Sequence, residues 1–271
     1  MRILKVSQIQ FQARATPNDN TKQLNNYFEK SLKFKPDIIC TPECSNIITN
    51  NKGYLFKNST FEKDCPILNM SKKFAKMNKV YINIGSLLLK VKNQKKLVNR
   101  SFLIDTNGCV KTFYDKIHMF DVKVSKNEFY KESASFKAGK KIKLTKFKNT
   151  KIGLTICYDL RFPNLYRKLA KKGAFFISIP SSFTKFTGKL HWHTLLKARA
   201  IETGCYIFAP AQFGSHPGKK KTFGHSLIVD PWGKIIKEAK NNQTVIISEI
   251  NTKTVEVFRK SIPSINLENF L

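Results

Sequence analysis

Apolar runs alternate with amphipathic segments along the chain, and this pattern predicts an α/β fold. Strands are predicted at residues 3–11 and 37–40, with an amphipathic helix at residues 18–34 between them. Further apolar strands are predicted at residues 80–89, 152–157, 174–179, 206–211 and 244–250. Further helices are predicted at residues 66–78, 163–172 and 191–203. This alternation indicates strands buried between layers of helices.

Two predicted hairpins indicate that the sheets are mixed rather than purely parallel. The first joins residues 102–105 to residues 110–114 through the turn Asn107-Gly108, and the second spans residues 227–236. A long loop is expected at residues 117–140, and a polar segment ends the chain. Because no linker or repeat divides the sequence, we expect one domain over residues 1–271.

The composition is that of a soluble globular protein. The chain is 41% hydrophobic and 25% charged, which excludes collagen-like, mucin-like and disordered classes. Its longest apolar runs have the length of strands, whereas a transmembrane helix needs about 20 apolar residues. The amino terminus lacks the continuous apolar stretch of a secretory signal. We therefore expect a cytoplasmic protein with no membrane association.

The formal net charge of +31 raises the possibility of a nucleic-acid partner. Only seven of the 49 basic residues are arginines, the type that groove-reading proteins favour, and the lysines are spread over the whole chain. Lysine, asparagine, isoleucine and phenylalanine, whose codons are rich in A and T, are all abundant, so genome composition accounts for the charge. We expect no specific nucleic-acid partner, although a basic nucleic-acid-binding protein on an inactive scaffold remains an alternative.

The cysteines and histidines do not form a sequence motif for metal binding. The six cysteines include no Cys-x-x-Cys pair, and a cytosolic chain of this length needs no disulfides. The five histidines include one i, i+2 pair, His191 and His193, without the spaced partners of a zinc site. We expect no metal and no cofactor.

Three polar residues that complement one another chemically follow predicted strands. Pro42 forces Thr41 into an extended conformation, so that Glu43 lies at the tip of a strand. Lys116 and Cys157 end two further strands, and sites in α/β sheets collect at such strand ends. Each residue alone has an ordinary explanation as a buried thiol or a solvated charge. Together they supply a nucleophile, a base and a positive group, which is the set that thiol catalysis needs.

The segments around these residues resemble three motifs of the nitrilase superfamily of carbon–nitrogen hydrolases, in the family's order. They are Thr41-Pro42-Glu43, Tyr-Asp-Lys-Ile-His-Met-Phe-Asp at residues 114–121, and Ile-Cys-Tyr-Asp-Leu-Arg-Phe-Pro at residues 156–163. The branch that contains deaminated glutathione amidases and ω-amidases has similar segments downstream, here at residues 191–192, 197–202, 224–226 and 229–233. The resemblance implies the family's α-β-β-α four-layer sandwich and a homodimer or larger homo-oligomer.

The resemblance also implies roles for individual residues. Cys157 matches the nucleophile, Glu43 the general base and Lys116 the positive partner of the tetrahedral oxyanion. The backbone N–H of Tyr158 would be a second oxyanion donor. Glu132 matches the family's second glutamate, which orients the lysine, and its alternative role is that of a solvated loop acid.

The implied reaction is hydrolysis of the amide of a small carboxylate-bearing substrate through a thioester, with release of ammonia or an amine. Arg161 is the candidate to bind the carboxylate through a bidentate fork, or else it forms a structural salt bridge, and Thr187 is a weaker candidate to add a hydroxyl. Residues 211–214 favour the deaminated glutathione amidase type, whereas His193 and Asn164 both replace a glutamate that is usual in the family. An ω-amidase acting on 2-oxoglutaramate or 2-oxosuccinamate, an N-carbamoyl amidase and a nitrilase remain alternatives.

Overall fold

Two mixed six-stranded sheets form the centre of the protein. The computed structural model describes residues 3–125, 128–218 and 220–267. The remaining residues of the predicted 1–271 domain, which include two in the predicted loop at 117–140, lie outside the described residues.

The strands of the described residues, numbered along the chain, are β1 (Ile3–Gln10), β2 (Ile38–Cys40), β3 (Tyr81–Leu89), β4 (Val98–Ile104), β5 (Val110–Asp115), β6 (Asp121–Ser125), β7 (Glu128–Lys131), β8 (Lys143–Phe147), β9 (Thr150–Leu154), β10 (Phe176–Ser178), β11 (Tyr206–Ala209), β12 (Phe213–Ser215), β13 (Lys221–Phe223), β14 (Leu227–Val229), β15 (Ile235–Glu238) and β16 (Thr244–Asn251). The helices are α1 (Pro17–Leu32), α2 (Lys52–Asn58), α3 (Pro66–Asn78), α4 (Pro163–Lys171), α5 (Lys185–Thr203) and α6 (Lys253–Ser261).

Each large sheet combines a parallel centre with antiparallel edges. The first sheet has the order β16-β1-β2-β3-β4-β5, and β1, β2 and β3 are parallel. The second has the order β15-β14-β11-β10-β9-β8, and β9, β10 and β11 are parallel. The carboxyl ends of β2 and β9 therefore lie in the parallel parts of the two sheets, where polar side chains can meet.

The two sheets pack face to face, with helices on their outer faces. Because side chains alternate along a strand, Cys40 joins the core between the sheets, whereas the neighbouring Ile39 packs with helices α1 and α3. Helices α4 and α5 cover the second sheet, and Gly153 of β9 lets Leu169 of α4 approach closely. These layers follow the order of the predicted α-β-β-α sandwich.

Several boundaries differ from the sequence predictions because local capping and packing override the apolar pattern. Helix α5 begins at Lys185 rather than at residue 191, because the Thr184 side chain caps it by accepting from the Thr187 N–H. The predicted loop at residues 117–140 contains the hairpin of β6 and β7. The sequence did not predict α2, β8, β12, β13 or α6, and α6 forms in the supposedly polar tail because its Phe258 packs on Trp232.

No helix in the described part of the chain is long and apolar enough to cross a membrane.

Candidate active site

The three predicted strand-end residues line one cavity of about 430 Å³. Glu43 follows β2, Lys116 follows β5, and Cys157 follows β9 after a short irregular stretch. They are 3%, 2% and 8% exposed, respectively. The fold therefore brings a carboxylate, an ammonium and a thiol together in a place from which bulk water is largely excluded.

Glu43 is held in place through both its backbone and its carboxylate. Its carbonyl accepts from Gln212 Nε2 at 2.9 Å, and its Oε1 accepts from Asn99 Nδ2 and from Lys116 Nζ, both at 3.0 Å. The turn before it packs tightly on β3, since a Cβ atom at Gly85 would lie 1.9 Å from the Thr41 carbonyl oxygen. Several parts of the fold thus fix the direction of this carboxylate.

Lys116 lies between two carboxylates. Its Nζ donates to Glu43 and also to both oxygens of Glu132, at 2.9 and 3.1 Å. Glu132 is fixed in turn by the Phe120 N–H, which donates to its Oε2 at 2.6 Å. Burial lowers the pKa of Lys116, but the charges of Glu132 and Glu43 outweigh burial and hold it well above the usual value. Lys116 is therefore an ammonium, and Glu132 contacts it rather than extending into solvent.

Cys157 lies at a sharp turn between β9 and a 3₁₀ turn that spans Cys157–Arg161. Its backbone has a left-handed φ of +48°, and its N–H donates to the Pro180 carbonyl at 2.9 Å. Asp159 closes the turn, because its Oδ2 accepts from the Ile156 N–H and from the Tyr114 hydroxyl, both at 2.8 Å. A strained backbone of this kind persists only where surrounding contacts hold it.

The protonation states of Cys157 and Glu43 are complementary. The Glu43 carboxylate and the Cys157 thiol both line the cavity, and each influences the pKa of the other. Burial, with the Glu43 charge added to it, raises the pKa of Cys157 well above that of a free thiol, although Lys116 opposes the shift. Burial also raises the pKa of Glu43, but the charges of Lys116 and Lys220 bring it below the usual value. The pair therefore rests as a neutral thiol beside an ionised carboxylate.

The backbone N–H of Tyr158 belongs to the first turn after the cysteine. Amides in the first turn of a helix have no partner within the helix, so this N–H is available to a developing oxyanion. The Tyr158 side chain also lines the cavity.

The two residues predicted to bind substrate both line the cavity. Arg161 Nη2 donates to His191 Nδ1 at 3.1 Å, so the contact of this guanidinium is with a histidine. Burial and the Arg161 charge lower the pKa of His191, which fits a neutral acceptor. Thr187 shares its hydroxyl with Thr184 at 2.8 Å in the first turn of α5. Its primary contact therefore stabilises the start of the helix.

Sequence reasoning missed two residues that contact or influence the charged cluster. Asn99 Nδ2 donates to Glu43 and, at 3.4 Å, to Glu132. It was missed because β4 begins at Val98, four residues before the predicted start at residue 102. Lys220 lines the cavity and lowers the pKa of Glu43 from a loop distant in sequence. A lysine in a lysine-rich loop carries no sequence signal for such a position.

The two departures from the family pattern lie outside the cavity lining. Asn164 is exposed in the first turn of α4. His193 on α5 pairs with Glu238 Oε1 at 2.8 Å. Neither residue touches the charged cluster around Lys116 in the described part of the chain.

The chain is similar to known proteins over nearly its whole length. A family model described as "Carbon-nitrogen hydrolase" matches residues 5–260. The deaminated glutathione amidase of Yersinia enterocolitica is 33% identical and aligns over 100% of this chain and 95% of its own length. The deaminated glutathione amidase of Dictyostelium discoideum is 34% identical over 92% of this chain and 88% of its own.

Two solved structures share the fold. The Caenorhabditis elegans NitFhit protein has a TM-score of 0.89 and 30% identity over 98% of this chain, which spans 65% of that longer protein. Saccharomyces cerevisiae Nit3, described as a member of branch 10 of the nitrilase superfamily, has a TM-score of 0.87 and 27% identity, over 97% of this chain and 95% of its own. These likenesses confirm the predicted four-layer sandwich.

Proposed function

Because the chain belongs to the carbon-nitrogen hydrolase family, we propose that it hydrolyses the amide of a small carboxylate-bearing substrate through a thioester on Cys157, with deaminated glutathione as the substrate. One observation carries the proposal: Cys157 lines the same buried cavity as Glu43 and the Lys116 ammonium, whose Nζ donates to Glu43 Oε1 at 3.0 Å. The names of the two amidase relatives support the choice of substrate.

In the first half-reaction, Cys157 becomes acylated. The thiol proton passes to Glu43 as the sulfur bonds to the amide carbon, and the carbonyl oxygen becomes an oxyanion. Lys116 Nζ and the Tyr158 N–H donate to that oxyanion. When it collapses, the C–N bond breaks and Glu43 returns the proton to the leaving nitrogen, so that ammonia or an amine departs and a thioester remains.

In the second half-reaction, water hydrolyses the thioester. Glu43 accepts a proton from the water as its oxygen bonds to the acyl carbon, and the same two donors bind the new oxyanion. The C–S bond then breaks, the sulfur recovers the proton from Glu43, and the carboxylic acid product leaves. Each oxyanion donor of this kind contributes about 10²–10³ in rate at comparable sites.

The cavity suits a small anion. Its volume is within the range of roughly 300–1,000 Å³ usual for small-molecule sites. Four cationic side chains line it in addition to Lys116, namely Lys52, Lys131, Arg161 and Lys220. Arg161 is the one that can form a bidentate fork with a carboxylate. These charges attract carboxylate-bearing substrates and raise their local concentration.

The proposal is tested by following formation of the acid product from deaminated glutathione, 2-oxoglutaramate, an N-carbamoyl amino acid and an aliphatic nitrile. We expect deaminated glutathione to give the highest kcat/KM and Cys157→Ala to reduce turnover to background. Cys109→Ala is the matched control, since Cys109 is an exposed cysteine outside the cavity, and it should keep full activity.

Preference for another substrate, lost in Cys157→Ala, would retain the thioester chemistry and replace the substrate. A folded chain that turns over none of the four compounds, or a Cys157→Ala variant that is still active, would contradict the proposal. Nucleic-acid binding that falls steeply with salt, without any hydrolysis, would favour the basic binding protein instead.

We also propose that the chain forms a homodimer or larger homo-oligomer. Helix α5 exposes Phe186 and Leu190, which are 56% and 60% exposed and four residues apart on one face. Apolar side chains grouped on a surface helix are typical of protein contacts. Analytical ultracentrifugation should show a species of at least twice the chain mass, and Leu190→Glu should reduce its population. A monomer at micromolar concentration would contradict this proposal.

A further inference from the structure

We propose that His193, His225 and Glu238 form a binding site for a divalent transition-metal ion of the Zn²⁺ type, separate from the cavity that contains Cys157. The three residues come from α5, from the loop between β13 and β14, and from β15. Their ligand atoms all lie within 4.8 Å of one another. The described residues contain no second group of three or more possible metal ligands.

The geometry is close to what such an ion requires. Glu238 Oε1 lies 2.8 Å from His193 Nε2 and 2.6 Å from His225 Nδ1. A tetrahedral zinc ion with bonds of about 2 Å holds its donor atoms roughly 3.3 Å apart. Small side-chain shifts would therefore place an ion where the hydrogen bonds now lie. Two imidazoles and one carboxylate are also a donor set that zinc commonly uses.

The site is fixed by contacts outside its own donor atoms. Trp192 Nε1 donates to the His225 carbonyl at 2.8 Å and holds a backbone that has a left-handed φ of +56°. The Phe223 ring stacks on the His225 ring at 4.3 Å and meets the His193 ring edge-on at 6.0 Å. Donors held by their surroundings lose little conformational freedom on binding an ion.

The site is accessible to an ion. All three residues are partly exposed, so an ion reaches them without unfolding. Lys185, Lys189 and Lys221 line an adjacent cavity that includes His225 and oppose a cation there. Their charge favours an anion as the fourth ligand.

The three donor residues are brought together by the fold and not by the sequence. The ligands are 45 and 13 positions from Glu238 in sequence, so no local spacing indicates them. The expectation of no metal was drawn from spacing alone, which does not detect donors that only the fold brings together.

The test uses a Cys109→Ala, Cys157→Ala background, so that two thiols that could also bind zinc are absent and the outcome does not depend on the proposed amidase activity. The chelator-treated protein is titrated with Zn²⁺ against a chromophoric zinc indicator. We expect one Zn²⁺ per chain, and His193→Gln and Glu238→Gln should each weaken binding by at least about tenfold, since loss of even an indirect partner costs that much. His191→Gln, a histidine on the same helix outside the group, is the control and should bind like the background protein.

Thermal unfolding supplies a second measurement. Excess Zn²⁺ should raise the Tm of the background protein and of His191→Gln, because an ion that binds only the folded state stabilises it. It should leave the Tm of His193→Gln and Glu238→Gln unchanged. If either variant fails to fold without metal, the other decides the result. No zinc binding by the background protein, or equal binding by all the variants, would overturn the proposal and leave an ordinary ion pair.

Discussion

Replacing Glu132 with glutamine tests whether this carboxylate orients Lys116. The substitution keeps the size of the side chain and removes its charge. In the native protein Glu132 accepts from Lys116 Nζ at 2.9 and 3.1 Å and from the Phe120 N–H at 2.6 Å. A glutamine has one acceptor oxygen, so its NH₂ group must face one of these donors.

The contacts set the size of the expected effect. A hydrogen bond that involves a charged group contributes about 1.5–3 kcal/mol. Loss of one such bond at Lys116 would remove roughly 1.5–3 kcal/mol of positioning free energy, which corresponds to about 10- to 160-fold in rate. Because Lys116 would act on the oxyanion, the loss should fall on kcat rather than on KM.

The assay compares kcat and KM of Glu132→Gln with those of the native chain on the best substrate. Asp121→Asn is the matched control, because Asp121 accepts from the Ser133 N–H at 2.9 Å on the same hairpin. It removes an equal charge without touching Lys116 and should stay within about threefold of native activity. Circular dichroism and the Tm confirm that each variant is folded. A folded Glu132→Gln whose kcat is also within about threefold of native would refute the reasoning.

Three further predictions address the turn, the base and the substrate. Gly85→Ala should lower the Tm and kcat, because the new Cβ would lie 1.9 Å from the Thr41 carbonyl oxygen. Gly53→Ala is the control and should leave both unchanged, because the nearest atom to its new Cβ is 3.5 Å away. Equal effects of the two substitutions would contradict the steric argument. The pKa of Glu43 lies below its ordinary 4.5, and the proposed base is its carboxylate form. We therefore expect kcat/KM to be level near neutral pH and to fall only below about pH 4.5, whereas a fall that begins near pH 6 would contradict Glu43 as the base. Arg161→Lys should raise the KM for a carboxylate substrate by about tenfold, since lysine cannot form the bidentate fork, and should leave the KM for a neutral amide unchanged. An unchanged KM for both substrates would show that Arg161 does not bind the carboxylate.

The positions of Glu43, Lys116 and Cys157 were predictable because they follow from local features. Each residue lies one to three positions after the end of a strand, and such strand ends are visible in a single sequence. Pro42 adds a backbone restriction that acts only on its neighbour. Whether the three residues meet depends on the order of their strands in the sheets. The regular α/β alternation limits the number of possible strand orders.

The environment of these residues depends on long-range contacts that no local pattern reports. Glu132 lies 16 positions after Lys116 and reaches it because the hairpin of β6 and β7 reverses the chain. The pattern of apolar residues in this hairpin is weak. Asn99 lies on β4, which begins at Val98 and not at the predicted residue 102. Helix α6 forms because Phe258 packs on Trp232, although its sequence is largely polar. In each case tertiary packing overrides local propensity.

The balance of charge links substrate binding to the base. Glu43 and Glu132 share the buried ammonium of Lys116, which leaves one excess negative charge beside the thiol. Burying an unbalanced charge is costly, and Lys220 offsets part of that cost by lowering the pKa of Glu43 from across the cavity. A substrate carboxylate bound near Lys220 would neutralise this lysine and so raise the proton affinity of Glu43. In the proposed mechanism, Glu43 would then be the strongest base while the substrate is present, which is when the thiol proton would be removed.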